Sequence, residues 1–135
     1  EHFCRPKVNP KFLKNLIKAR SNKKITRIGC TDSSDGLFQA IQDLAIASNC
    51  KAIIDYTKIP KDKNWPIGDK WDEYYFFGGE DYELVFSVPQ KWAKKLSQLD
   101  KNIKEIGFFT NGEPSIEFKD NDKIDLLNNS PFKHF

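Results

Sequence analysis

The sequence turns from a strand into a helix at ITRIGCTDSSDGL, residues 25–37. Residues 25–30 contain β-branched side chains and predict a strand. From the final leucine of this stretch to Ser48, apolar residues recur at helical spacing and predict a helix. In the polar turn between them, Asp35 or Ser34 is expected to cap the helix. A strand that leads directly into a helix is typical of layered α/β structure.

Strands and helices continue to alternate along the chain. Period-two alternation of apolar residues predicts the strands, and helical spacing after a proline or a polar turn predicts the helices. The predicted helices are 10–20, 69–77 and 89–99, and the further predicted strands are 51–56, 82–88, 104–110, 115–119 and 123–127. We therefore expect an α/β (α+β layered) fold, with a mixed β-sheet packed against helices.

Charge and cysteine content exclude several classes of protein. The chain has 135 residues, of which 22 are basic and 19 acidic, and this balanced charge argues against a nucleic-acid partner. No run reaches the ~18 apolar residues of a membrane-spanning helix, so no membrane partner is expected. Cys4, Cys30 and Cys50 are too widely spaced for a disulfide framework or a CxxC metal site. Free thiols favour a reducing compartment, which predicts a cytoplasmic protein.

The first candidate site is the turn Asp32-Ser33-Ser34-Asp35-Gly36. Two carboxylates three residues apart can converge on Mg²⁺, which proteins hold with one or two carboxylates, phosphate oxygens and water. The helix that follows offers free backbone N–H groups to a phosphate. The alternative is an ordinary capped turn, in which the polar side chains only satisfy backbone N–H groups.

The second candidate site is Gly78-Gly79-Glu80-Asp81, immediately before a predicted strand. Paired glycines favour a tight turn that presents the two carboxylates at the edge of the sheet. These carboxylates could contact an amine, a cationic ring or a metal. The alternative is a turn with solvated acidic residues, since acidic side chains are mostly exposed.

The two motifs together resemble one enzyme family. DSSDGL at 32–37 is followed by GGEDYEL at 78–84, IGFFTNG at 106–112 and a terminal Phe-x-His-Phe. In this order they resemble the C-terminal half of the thiamine-monophosphate kinases, which share a superfamily with aminoimidazole ribonucleotide synthetase and selenophosphate synthetase. Residues 1–135 are thus expected to be one C-terminal domain of a two-domain enzyme, without its N-terminal half.

The resemblance implies roles for individual residues. The family reads D-x-S-D-G-L at the first motif, and each fixed position is kept here. Asp32 and Asp35 would then be Mg²⁺ ligands, and Ser34 would contact ATP. In the second motif Glu80 would touch thiamine monophosphate, with Asp81 assisting.

The end of the chain departs from the family pattern. There the family tends to read W-x-G-aromatic-acidic-H-F, whereas this chain has Asn129 at the tryptophan position, Pro131 at the glycine and Lys133 at the acid. An aromatic side chain that could stack on the substrate is therefore missing from that position. Phe132 is the residue we expect to take its place in substrate binding.

The resemblance also implies a reaction and its partners. The γ-phosphoryl group of ATP would pass to the phosphate of thiamine monophosphate, giving thiamine diphosphate and ADP in a Mg²⁺-dependent step. The N-terminal half would supply further metal-binding acids and the core of a homodimer, so this chain alone is expected to be inactive. Two alternatives remain: a related ATP-dependent enzyme with another small substrate, and a non-catalytic domain that binds metal or nucleotide.

Overall fold

Helices and strands alternate in the computed structural model, which describes residues 10–20, 27–80 and 82–119. The helices are α1 (Pro10–Ala19), α2 (Leu37–Ser48), α3 (Asp69–Phe77) and α4 (Gln90–Leu99). The strands are β1 (Gly29–Asp32), β2 (Lys51–Ile54), β3 (Leu84–Ser87), β4 (Gly107–Thr110) and β5 (Ser115–Phe118). The predicted α/β class is confirmed, and the predicted strand 123–127 lies outside the described residues.

The described strands form two separate sheets. β1 and β3 make an antiparallel pair, and the other sheet has the order β4-β2-β5. In that sheet β2 is antiparallel to β4 and parallel to β5, so the sheet is mixed as predicted. Helix α2 packs against both sheets and against α3, and therefore joins them.

Strand β1 lies further along the chain than its composition predicts. It runs from Gly29 to Asp32 rather than ending at Cys30, because its partner β3 fixes the register, with Asp32 opposite Leu84. The first carboxylate of the DSSDG turn is consequently the last residue of a strand. Its backbone position is set by hydrogen bonding within the sheet as well as by the turn.

Strand β2 is shorter than predicted because Asp55 starts a short 3-10 helix, Tyr56–Lys58. The carboxylate of Asp55 accepts a hydrogen bond from the Thr57 hydroxyl at 2.6 Å, and its backbone carbonyl accepts one from the Lys58 N–H at 3.0 Å. The Thr57 hydroxyl, followed by Lys58 and Lys119, lowers the pKa of Asp55. The carboxylate therefore stays charged at neutral pH although it is buried.

The main hydrophobic core lies between α2, α3 and the three-stranded sheet. Phe76 is fully buried at its centre, and its ring lies 5.2 Å from that of Phe118 and 5.6 Å from that of Phe38. The other buried members of the cluster are Ile41, Ala45, Ala52, Ile54, Ile59 and Phe77. Because Phe76 and Phe77 at the end of α3 are buried here, the chain that follows α3 starts from a fixed point.

A smaller core joins α1 to α4. Ala19, Trp92 and Leu96 are its buried members, and Phe86 of β3 packs against them. The rings of Phe12 and Phe86 lie 4.7 Å apart, so this core continues onto the end of β3 that is remote from Asp32. No helix in the described parts of the chain is long and apolar enough to cross a membrane.

The burial of Phe76 predicts a large loss of stability on truncation. We expect Phe76→Ala to lower the free energy of unfolding of the 135-residue chain by about 3–5 kcal/mol, the usual effect of deleting a buried phenyl ring. Phe108→Ala is the matched control, because Phe108 is 58% exposed and its loss should change stability by less than about 0.5 kcal/mol. Urea unfolding of both variants measures the difference, and equal losses would contradict this description of the core.

Candidate functional site

The DSSDG turn holds Asp32 in a defined conformation. Its Oδ1 atom accepts a hydrogen bond from the Ser34 backbone N–H at 3.0 Å, and the carboxylate is exposed. A hydrogen bond from the Ser34 hydroxyl, followed by the one from the Ser34 backbone, lowers the pKa of Asp32. Asp32 is thus ionised at neutral pH and open to solvent, as a ligand for a hard cation must be.

The helix after the turn is not capped as predicted. The N-cap of α2 is Gly36, with φ 95°, and neither Asp35 nor Ser34 occupies that position. A Cβ atom on Gly36 would lie 2.8 Å from the carbonyl oxygen of Phe77, so the residue at this position must be glycine. The contact with α3 therefore decides how α2 begins, and no side chain at the N-cap covers the backbone N–H groups of its first turn.

Gly79 and Glu80 of the second motif lie directly against the DSSDG turn. The Glu80 N–H donates to the Ser34 carbonyl oxygen at 2.6 Å, and a Cβ atom on Gly79 would lie 2.7 Å from the same oxygen. Glu80 itself has φ 67°, which is uncommon for a residue with a side chain. Its side chain is exposed. The two motifs therefore meet backbone to backbone, with Glu80 in a special conformation at the junction.

A second connection between the motifs passes through Ser33. Its N–H donates to the Glu83 carbonyl oxygen at 2.9 Å, and its hydroxyl oxygen accepts from the Glu83 N–H at 3.1 Å. Ser33 is only 4% exposed. The antiparallel pairing of β1 with β3 is thereby continued one residue past the last residue of β1.

All four of the predicted site residues that the structure describes come together. Asp32, Ser34 and Asp35 belong to one turn, and Glu80 is hydrogen-bonded to that turn. Asp81 and Phe132 lie outside the described residues. Within residues 10–20, 27–80 and 82–119 there is no group of three or more His, Cys, Asp or Glu side chains that could hold a metal.

Sequence reasoning missed the contribution of Ser33. The residue occupies the variable position of D-x-S-D-G-L, and serine in a polar turn is common enough to attract no notice. Its partner Glu83 is fifty positions away in the chain. A predicted pairing of β1 with β3 could have indicated the contact between Ser33 and Glu83. Asp32, the last residue of β1, lies opposite Leu84, the first residue of β3, so Ser33 and Glu83 are the next pair.

The fold and the joined motifs define the class of protein. Residues 5–119 match the family model described as AIR synthase related protein, C-terminal domain. The match covers most of the chain, and the chain belongs to this family. The family assignment agrees with the resemblance expected from the DSSDGL and GGEDYEL motifs.

Within that class, the similar curated proteins are thiamine-monophosphate kinases. The chain is 36% identical to the thiamine-monophosphate kinase of Prochlorococcus marinus over 125 residues, which are 93% of this chain and 38% of that protein. It is 34% identical to that of Nitrosopumilus maritimus over 108 residues, which are 77% of this chain and 34% of that protein. The chain thus spans little more than a third of the length of these relatives.

Solved structures of similar proteins share the fold. The crystal structure of thiamine-monophosphate kinase from Stenotrophomonas maltophilia has a TM-score of 0.59 at 24% identity, covering 67% of this chain and 31% of that chain. A structure described as AaThiL complexed with AMPPCP and TMP has a TM-score of 0.55 at 26% identity, covering 84% of this chain and 40% of that chain.

The close approach at Gly36 predicts a difference between two glycine positions. Gly36 and Gly68 both have positive φ, but a Cβ atom on Gly68 would meet nothing closer than 4.0 Å. Alanine is therefore strained in its backbone at both positions and collides with a carbonyl oxygen only at Gly36. We expect Gly36→Ala to destabilise the chain by about 1–3 kcal/mol more than Gly68→Ala does, the range typical of overpacking.

Urea unfolding of the two variants makes this comparison. Equal destabilisation would mean that backbone strain alone explains the need for Gly36 and that the contact with Phe77 is not tight.

Proposed function

We propose that the chain is the ATP-binding and acceptor-binding part of a thiamine-monophosphate kinase. The observation that carries this proposal is the hydrogen bond from the Glu80 N–H to the Ser34 carbonyl oxygen, at 2.6 Å, which joins the two carboxylate-bearing turns. A phosphoryl transfer between two anions needs a phosphate donor site and an acceptor site side by side. The names of the curated relatives and the ligands named with the AaThiL structure support the choice of substrates.

The donor set fits Mg²⁺. Asp32 and Asp35 are exposed carboxylates on one turn, and hard oxygen ligands of this kind suit Mg²⁺. Two carboxylates do not complete its shell, and the remaining positions suit phosphate oxygens and water. When bound there, the ion would neutralise charge on the phosphate groups of ATP. The lowered pKa of Asp32 keeps this side of the site anionic at neutral pH.

The turn and α2 would receive the nucleotide phosphates. Ser34 orients Asp32 through its hydroxyl and its backbone N–H, and it is the residue that we assign to ATP contact. The backbone N–H groups and the positive dipole end at the start of α2 favour a phosphate nearby.

The acceptor would be bound by the second turn. Glu80, with Asp81 assisting, would contact thiamine monophosphate, and a carboxylate suits its cationic thiazolium ring or its amine. Phe132 remains the aromatic residue proposed for substrate binding. An oxygen of the acceptor phosphate would attack the γ-phosphorus of ATP, forming one P–O bond as the bond to ADP breaks. The attacking phosphate is already ionised, so no general base is needed.

The complete enzyme would contain more than this chain. Because the chain spans 38% and 34% of two curated relatives, we propose that an N-terminal domain supplies further metal-binding acids. We also propose a homodimer, with ATP bound across the subunit junction, and a cytoplasmic location. Activity is therefore expected of the full-length protein.

The isolated chain should not turn over substrate. With ATP, Mg²⁺ and thiamine monophosphate, we expect the 135-residue chain to release no ADP above background, because part of the metal shell is absent. An ADP-release assay of the chain beside the full-length protein measures this. Equal rates would show that the N-terminal domain is dispensable for the reaction.

The charge of Asp32 should be essential for the reaction. In the full-length protein, Asp32→Asn keeps an acceptor for the Ser34 N–H and removes only the negative charge. We expect kcat to fall by more than the roughly 10–100-fold typical of losing a partner outside the metal's own ligands. Thiamine diphosphate formation, followed by chromatography, is the measurement.

Asp62→Asn is the matched control for this substitution. Asp62 Oδ1 accepts a hydrogen bond from the Asn64 N–H at 2.8 Å, the same local pattern as at Asp32, and it lies outside the proposed site. Its loss of charge should leave kcat unchanged. If both variants keep full activity, the DSSDG turn is a capped turn and not a metal site. If the wild-type protein binds ATP but makes no thiamine diphosphate, the assigned substrate is wrong.

A further inference from the structure

Ser33 is the buried polar residue at the junction of the two turns. With 4% exposure, it is more buried than its neighbours Asp32, Ser34 and Asp35, to which the proposed function assigns chemistry. Its hydroxyl oxygen accepts the Glu83 N–H at 3.1 Å, and its own N–H donates to the Glu83 carbonyl oxygen at 2.9 Å. Ser33 therefore fixes both backbone groups of Glu83.

Together with the bond from Glu80, these bonds attach the second motif to the DSSDG turn at two residues. At one end, Glu80 is bonded to the Ser34 carbonyl at 2.6 Å, and at the other, Glu83 is bonded twice to Ser33. Both anchors belong to the turn that carries Asp32 and Asp35. The positions of Glu80 and Glu83 are thus set relative to the proposed metal-binding turn, and not only by the ends of α3 and β3.

Glu80 needs such an anchor to keep its backbone conformation. A residue with φ 67° and a side chain keeps that conformation only where the surroundings enforce it. The close approach of Gly79 to the Ser34 carbonyl oxygen enforces this conformation before Glu80. The hydrogen bonds between Ser33 and Glu83 fix the chain after it. Loss of the Ser33 hydroxyl would leave the Glu83 N–H without this partner and relax the turn.

We propose that Ser33 is a positioning residue for the phosphoryl acceptor: through Glu83 it helps to hold Glu80 at the distance from Asp32 and Asp35 that transfer requires. This inference rests on the proposed function, because Glu80 is the acceptor-binding residue only if that function is right. Ser33 itself touches neither substrate. Its effect is expected on the acceptor and not on ATP.

The kinetic test uses three variants of the full-length protein. Ser33→Ala removes the hydroxyl, and Ser33→Thr keeps it. Ser97→Ala is the matched control, because the half-buried Ser97 hydroxyl donates to the Ala93 carbonyl at 3.2 Å within α4. We expect Ser33→Ala to lower kcat/KM for thiamine monophosphate roughly 10–100-fold, as small misplacements of reacting groups do, with KM for ATP unchanged. Ser33→Thr should recover most of the loss, and Ser97→Ala should show none.

A second measurement tests the anchor without using activity. Amide hydrogen exchange of the full-length Ser33→Ala variant should be about 5–10-fold faster at Glu80 and Glu83, as the loss of one ordinary hydrogen bond implies, and unchanged in α4. Ser97→Ala should leave exchange at Glu80 and Glu83 unchanged. Because the exchange measurement does not use Ser33→Thr, it still tests the anchor if that variant does not fold.

The two measurements separate the inference from the proposed function. A raised KM for ATP, or no loss of kcat/KM for thiamine monophosphate, would overturn the positioning role. Unchanged exchange at Glu80 in Ser33→Ala would overturn it as well. If the wild-type protein makes no thiamine diphosphate, the proposed function fails and the acceptor role of Ser33 fails with it. Faster exchange would then support only the anchoring of Glu80 and Glu83.

Discussion

The structure around the site depends on one close contact between two backbone segments. Residues 33–36 approach residues 77–80 so closely that a Cβ atom on Gly36 or Gly79 would lie 2.8 or 2.7 Å from a carbonyl oxygen of the facing segment. Glycine is the only residue that permits this approach. The start of α2, the end of α3 and the conformation of Glu80 all follow from it. The three hydrogen bonds through Ser33 and Ser34 then hold the segments together.

The hydrophobic core supplies the rigid support for this contact. Phe76 and Phe77, the last residues of α3, are buried in the cluster formed with α2 and the three-stranded sheet. The position of the glycines that follow them is therefore fixed. On the other side, β1 and β3 pair up to Asp32 and Leu84, which brings the second segment to the same place. The site thus lies where a packed helix end and a paired strand end converge, and its carboxylates need no long loop to meet.

The sequence predicts elements well where local signals mark both ends. Helix α3 lies at the predicted residues, Asp69–Phe77, because glycines flank it on both sides. Strand ends were less predictable, since they depend on partners: β1 reaches Asp32 only through its pairing with β3, and Asp55 ends β2 through its bond with Thr57. The predicted cap of α2 was wrong for the same reason, because a contact with α3 placed Gly36 there. The division of the strands into two sheets has no local signal at all.

The central claim is that the two turns form a single site beside one metal ion. Mn²⁺ suits the same oxygen ligands as Mg²⁺, and its paramagnetism broadens nearby amide signals. In the full-length protein with a non-hydrolysable ATP analogue, Mn²⁺ should broaden the signals of Ser34 and Glu80 together, and more strongly than that of Leu96 in α4. Broadening at Ser34 without Glu80, or at neither residue, would contradict the account.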